Sequence, residues 1–123
     1  MKKTEEKCLC GASEYIVLSC SGASDVGQVS DLVARKLSKE GVRKMNCLAV
    51  VGTVIEKSIR DFKTKNILVI DGCPIDCGKR ILKKNELIDF SYLRVTDLGF
   101  KKGKTAVSDE TIAAVYEKAS IIV

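Results

Sequence analysis

The chain has 123 residues, a formal net charge of +5, 46% hydrophobic and 30% charged side chains, one proline and no tryptophan. These values exclude disorder, fibrous repeats and low-complexity sequence, and they suit one domain that buries an aliphatic core. No stretch approaches the ~20 apolar residues of a membrane span, and Glu5 and Glu6 stand where a secretory signal needs an apolar run, so a cytoplasmic protein is expected.

Residues 1–14 read as a loose polar leader holding Cys8 and Cys10, ahead of an α/β domain over 15–123. Tyr15 to Ser19 is the first expected strand, with Ile16, Val17 and Leu18 as its apolar run. It ends in the small-residue turn Cys20-Ser-Gly-Ala-Ser-Asp25. Ser24 or Asp25 can cap a helix whose Val26, Val29, Leu32, Val33 and Leu37 fall at helical spacing, and Gly41 sits where the helix should stop.

The next segment can be cut in two ways. If Leu48 to Val51 is the strand, Cys47 lies at its start; if Val42 to Asn46 is the strand, Cys47 closes its carboxyl end. We favour the second cut, because it lets Val50, Val51, Val54, Ile55, Ile59 and Phe62 share one stripe of a following helix.

Ile67 to Ile70 is four consecutive apolar residues rich in β-branching, the mark of a strand buried on both faces. It is stopped by the turn chemistry of Asp71-Gly-Cys-Pro74, after which Asp76 can cap a helix of about two turns running toward Asn85. Ser91 to Val95 is a fourth strand. A loop with Gly99 and Gly103 leads to Ser108, the cap of a last helix that buries Ile112, Ala113, Val115, Tyr116 and Ala119. Alternation of strand and helix implies a parallel sheet of about four strands with flanking helices, a flavodoxin-like or Rossmann-like half, in the order 2-1-3-4.

On that layout Cys20, Cys47 and Cys73 each end a strand, and Cys77 opens the helix after the third. Neighbouring strands are about 5 Å apart, so four thiols from these ends could meet around one zinc ion at sulfur distances of about 2.3 Å. The same ligands would also suit an iron–sulfur cluster, and Cys20 or the Cys73/Cys77 pair could instead serve a thiol redox enzyme or sulfur carrier. In a reducing compartment clustered cysteines point to metal or redox chemistry more than to cross-links.

The stretches Cys20-Ser-Gly-Ala-Ser-Asp-Val-Gly-Gln28, Lys44-Met-Asn-Cys-Leu-Ala49, Val69-Ile-Asp-Gly-Cys-Pro-Ile-Asp-Cys77 and Thr96-Asp-Leu-Gly99 resemble the DGC-domain family of zinc-binding proteins, across most of residues 15 to 105. The resemblance implies a ligand set of Cys20, Cys47, Cys73 and Cys77 and supports the second cut around Cys47. It supplies no substrate, and Cys8 and Cys10 lie outside the matched stretches.

Other motifs fail on inspection. A tyrosine-phosphatase loop opening at Cys20 would need arginine where Val26 stands, and Gly99-Phe-Lys-Lys-Gly-Lys-Thr105 has three residues between its glycines where a phosphate-binding loop has four. Histidine is absent, which removes the usual general base and any mixed His/Cys metal site. The basic runs at Lys79, Arg80, Lys83 and Lys84 and at Lys101, Lys102 and Lys104 lack interleaved aromatics, so no nucleic-acid partner is expected. Asp71 and Asp76 flank the central cysteine turn as cap or turn formers.

Overall fold

The computed structural model describes residues 14–122. The leader expected over 1–14, with Cys8 and Cys10, lies outside them apart from Glu14. Strands β1 (Tyr15–Ser19), β2 (Lys44–Met45), β3 (Asn66–Asp71) and β4 (Ser91–Arg94) form one parallel sheet in the order β2-β1-β3-β4, the expected 2-1-3-4. Among the described residues five helices flank it: α1 (Asp25–Lys39), α2 (Leu48–Gly52), α3 (Glu56–Phe62), α4 (Cys77–Lys84) and α5 (Asp109–Ser120). No helix among the described residues is long and apolar enough to cross a membrane.

The period of two along each strand divides the core into two layers. Val17, Leu68, Ile70 and Leu93 meet Val26, Val29, Val33 and Leu37 of α1 and Val115 and Ala119 of α5. Ile16, Leu18, Ile67 and Val69 face the other way, onto Val51, Ile59, Phe62, Leu82 and Leu87. Both faces of β1 and β3 are therefore covered, which is why their sequences read as unbroken apolar runs.

Local signals explain most element ends. Ser24 Oγ accepts from the Gly27 N–H at 3.0 Å and starts α1, while Gly41 at φ +75° ends it. Ser108 Oγ accepts from the Thr111 N–H at 3.2 Å and starts α5. Four expectations need correction. The single helix after Cys47 is two, because Val54 adopts a left-handed backbone at φ 58° and turns the chain between α2 and α3. Val54 and Ile55 are thereby exposed, and Val51, Ile59 and Phe62 carry the buried stripe. The strand before Cys47 shortens to Lys44–Met45, and the fourth strand ends at Arg94, Val95 opening a 3-10 turn over Val95–Leu98. Ala113 faces solvent, and Thr111 takes a buried place on α5.

Arg43, inside the segment expected as the strand Val42 to Asn46, is buried. It donates to the carbonyls of Ile16 and Asn66, each at 3.1 Å, and to the Ile122 carbonyl at 3.2 Å. Carbonyl oxygens of three strand and chain-end residues accept from this cation, and burial lowers the proton affinity of its guanidinium. The contact holds the chain after α5 against the amino end of the sheet, where Ile122 packs on the α1 and α5 layer.

Candidate thiol centre at the carboxyl edge of the sheet

The central strands end together: the Cys20 N–H donates to the Ile70 carbonyl at 2.9 Å, so Cys20 stands beside the start of the Asp71-Gly-Cys73 turn. Asp71 is buried and both its oxygens are used. Oδ1 accepts from the Gly78 N–H at 2.8 Å, and Oδ2 accepts from the Lys79 N–H at 3.0 Å and the Tyr92 hydroxyl at 2.7 Å. Asp71 is thus the side-chain cap of α4, satisfying two N–H groups that a helix start leaves open.

That corrects the role expected of Asp76. Asp76 precedes α4, but its backbone is left-handed at φ 58°, ψ 43° and its side chain makes no capping bond. Its carboxylate turns instead to Arg94, taking Nε at 2.8 Å and Nη2 at 2.6 Å, and shares with Asp71 the single proton of the Tyr92 hydroxyl, 2.9 Å away. The Arg94 bonds, ahead of the Tyr92 hydroxyl, hold the Asp76 carboxyl below the usual carboxylate range. Tyr92 moves the opposite way, its phenol pushed up by burial and by the two carboxylates.

Close packing explains the glycines of this corner. A Cβ on Gly72 would lie 2.7 Å from the Val26 carbonyl carbon and 2.8 Å from the Gly27 nitrogen, so the turn after β3 rests directly on the first turn of α1. A Cβ on Gly78 would lie 2.7 Å from Asp71 Oδ1, in the space the cap occupies. In Asp-Gly-Cys, then, the aspartate caps, the glycine permits the approach and the cysteine presents sulfur.

Cys20 and Cys73 are half-buried, and Cys77 is exposed. Burial first, then the negative charge of Cys20, Asp71 and Cys73, pushes the Cys77 thiol up, with Lys102 acting in the other sense. Lys102 Nζ donates to Cys73 Sγ at 3.6 Å. The loop carrying this lysine is strapped to α1, since Asp25 accepts from the N–H groups of Gly103 and Thr105, both at 2.9 Å. Those bonds hold the Asp25 carboxyl low. They also engage amides that a phosphate-binding loop would offer to its ligand.

Cys47 is placed differently. It is exposed, precedes the one-turn helix α2 and makes no side-chain capping bond. It lines a cleft of about 580 Å³ with Met45, Leu48 and Ile81. One wall is polar: the Ser21 hydroxyl donates to Asp31 Oδ1 and Arg35 Nε to Asp31 Oδ2, each at 2.7 Å. Ser19 and Ser21, on either side of Cys20, reach this cleft, but Cys20, Cys73 and Cys77 do not line it.

Three of the four anticipated residues therefore share one corner, and the fourth stands on the β2 side. By type, four thiols suit zinc or an iron–sulfur cluster. As placed, no group of three or more Cys, Asp or Glu side chains among the described residues forms a site able to hold a metal ion. Sequence reasoning missed Arg94, Tyr92, Lys102 and Asp25. The one available signal was the pairing of Tyr92 and Arg94 on alternate positions of a short strand, which puts both on one face.

No solved structure matches the chain. It is 33% identical over 88 residues to the "Anaerobic and virulence modulator AnvM" of Pseudomonas aeruginosa, an alignment covering 71% of this chain and 67% of that protein. The family model for the DGC domain matches residues 16–119, a span that contains all four cysteines of the sheet edge. The chain belongs to the DGC-domain family.

Proposed function

We propose that the chain binds one zinc ion at the carboxyl edge of its sheet, with Cys20, Cys73 and Cys77 as the principal ligands and Cys47 as the fourth. The observation that carries this reading is the corner where β1 and β3 end. There Cys20 follows β1 beside the Asp71-Gly-Cys73 turn, Cys77 opens the next helix close enough to feel both other cysteines, and Lys102 Nζ lies 3.6 Å from Cys73 Sγ. Three thiols gathered in one corner offer sulfur ligands to a divalent cation, which displaces their protons and offsets the charge that bringing three thiolates together would create. A closed four-thiolate shell has no open coordination position, so the role we assign is structural or regulatory rather than hydrolytic. The relative from Pseudomonas is by name a modulator, and regulation is the role we carry over from it. We take the compartment to be the cytoplasm.

Elemental analysis of native protein together with thiol labelling tests the reading. We expect one zinc per chain, with Cys8 and Cys10 labelled and the other four protected. Bound iron with visible colour would move the same ligands to an iron–sulfur cluster, and six labelled thiols without metal would overturn metal binding. Because no cysteine is among the buried residues of the two apolar layers, Cys73 only packing against one of them, chelation should leave the helical circular dichroism in place, unlike in small zinc-dependent folds. Thiol exchange is a second reading, favoured by the Lys102 ammonium lying 3.6 Å from the half-buried Cys73 sulfur, where it can steady charge that builds on sulfur during exchange. It predicts that Cys73 reacts fastest of the four in metal-free protein.

A further inference from the structure

We infer that Arg94 and Tyr92, on the strand that carries no cysteine, are positioning residues for the thiol pair, holding the Cys73–Cys77 turn in shape by gripping Asp76. Where this concerns zinc affinity it rests on the zinc-binding reading above. Where it concerns the turn itself it does not.

The turn contains a conformation that does not hold itself. Asp76 is left-handed, in a region that L-residues with a Cβ enter at a cost. Its backbone closes the turn on both sides: the Asp76 N–H donates to the Cys73 carbonyl at 3.1 Å, and the Arg80 N–H to the Asp76 carbonyl at 2.8 Å. A change at Asp76 thus moves the start of α4, and with it Cys77, relative to Cys73.

What fixes Asp76 comes from across the sheet. Arg94 is paired in register with Asp71 of β3, and its guanidinium takes both Asp76 oxygens in a largely buried two-point bond. A second bond to Asp97 at 3.1 Å steadies the guanidinium. Tyr92 stands two residues earlier on the same face, its hydroxyl between Asp71 and Asp76, so the helix cap and the turn share one anchor. Partners behind a ligand commonly set affinity by fixing ligand orientation. Here they do so through the backbone between two ligands.

The test uses the full chain and three variants: Arg94→Ala, Tyr92→Phe, and Arg94→Ala combined with Asp76→Gly. In metal-free protein, Arg94→Ala should speed amide exchange at Asp76 and Arg80 while leaving Val17 and Leu68 in the core unchanged. Zinc affinity, measured against a competing chelator, should fall about 10- to 100-fold. Adding Asp76→Gly should restore most of both, because glycine takes the left-handed conformation without being gripped. Tyr92→Phe, which removes a hydroxyl and should fold in any case, should give the same changes at smaller size. Unchanged exchange in Arg94→Ala and Tyr92→Phe would overturn the inference. So would loss in Arg94→Ala that Asp76→Gly fails to recover, since that marks Arg94 as general scaffolding. A native chain that binds no zinc would retire the zinc-binding reading and leave the exchange measurements to decide this one.

Discussion

Two turns at the same edge of the sheet present cysteines and are built to different standards. The Cys73–Cys77 turn follows β3, a six-residue strand paired on both sides, and is fixed by the Asp71 cap, the Arg94 and Tyr92 bonds and the packing of Gly72 on α1. The Cys47 turn follows β2, a two-residue strand that among the described residues pairs only with β1, and leads into a five-residue helix whose exit is left-handed at Val54. Equal chemistry in sequence thus becomes unequal preorganisation in the fold. A ligand already held in place binds without the ordering cost that a loose one must meet.

The largest expected consequence concerns the ligands themselves. Spacing alone makes Cys47 and Cys73 equivalent strand-end thiols, so that losing either would weaken metal binding equally. The structure ranks them: Cys73→Ser should lower zinc affinity at least about tenfold more than Cys47→Ser, a difference of about 1.4 kcal/mol. Single substitutions titrated against one chelator at one pH would measure this, and equal losses would show that the Cys47 turn is as well seated as the other. Next in size is the scaffold beneath Cys73. Gly72→Ala puts a Cβ within 2.9 Å of three backbone atoms of α1, and backbone cannot step aside as a side-chain end can. It should cost about 2 kcal/mol in urea denaturation. A loss within error would mean that the turn slides freely over α1 and is no more rigid than its counterpart.

Legibility in the sequence followed the same division. Both faces of β1 and β3, the caps at Ser24 and Ser108 and the stop at Gly41 were readable because each is set by residues within a few positions, and the order of the sheet followed from the general rules of parallel α/β connections. Cys20, Cys47 and Cys73 were readable as strand-end residues, and Cys77 as a residue of the next helix, once the segment before Cys47 was cut as a strand ending there. The bond between Asp76 and Arg94 was not, because 18 residues and a helix separate partners that only the pairing of β3 with β4 brings together. Asp76 looked like a cap by position, and nothing local showed that Asp71, one strand end earlier, already filled that role. Periodicity also failed at Val54, where a valine in a helical stripe is the turn itself, a conformation propensity would assign to glycine or asparagine.

The smallest prediction compares these two left-handed residues directly. Val54 and Asp76 share a φ of 58°, but Val54 is 57% exposed and belongs to neither apolar layer, while Asp76 is gripped by Arg94 and Tyr92. Replacing Val54 by glycine relieves about 1–2 kcal/mol of left-handed strain and gives back about 0.5–1 kcal/mol in chain entropy. Little packing is lost, so the net change should be a gain of about 0.5 kcal/mol, read as a rise in Tm of about 2 °C. Asp76→Gly relieves less strain, because aspartate enters the left-handed region more readily than β-branched valine, and it strips Arg94 of its bidentate partner and Tyr92 of one acceptor, bonds to a charged group that outweigh the relief by about 1 kcal/mol. The same substitution at the same backbone angle should therefore stabilise one turn and destabilise the other, and thermal melts of the two single variants compare them. Two gains would mean that the grip on Asp76 contributes less than the strain it holds.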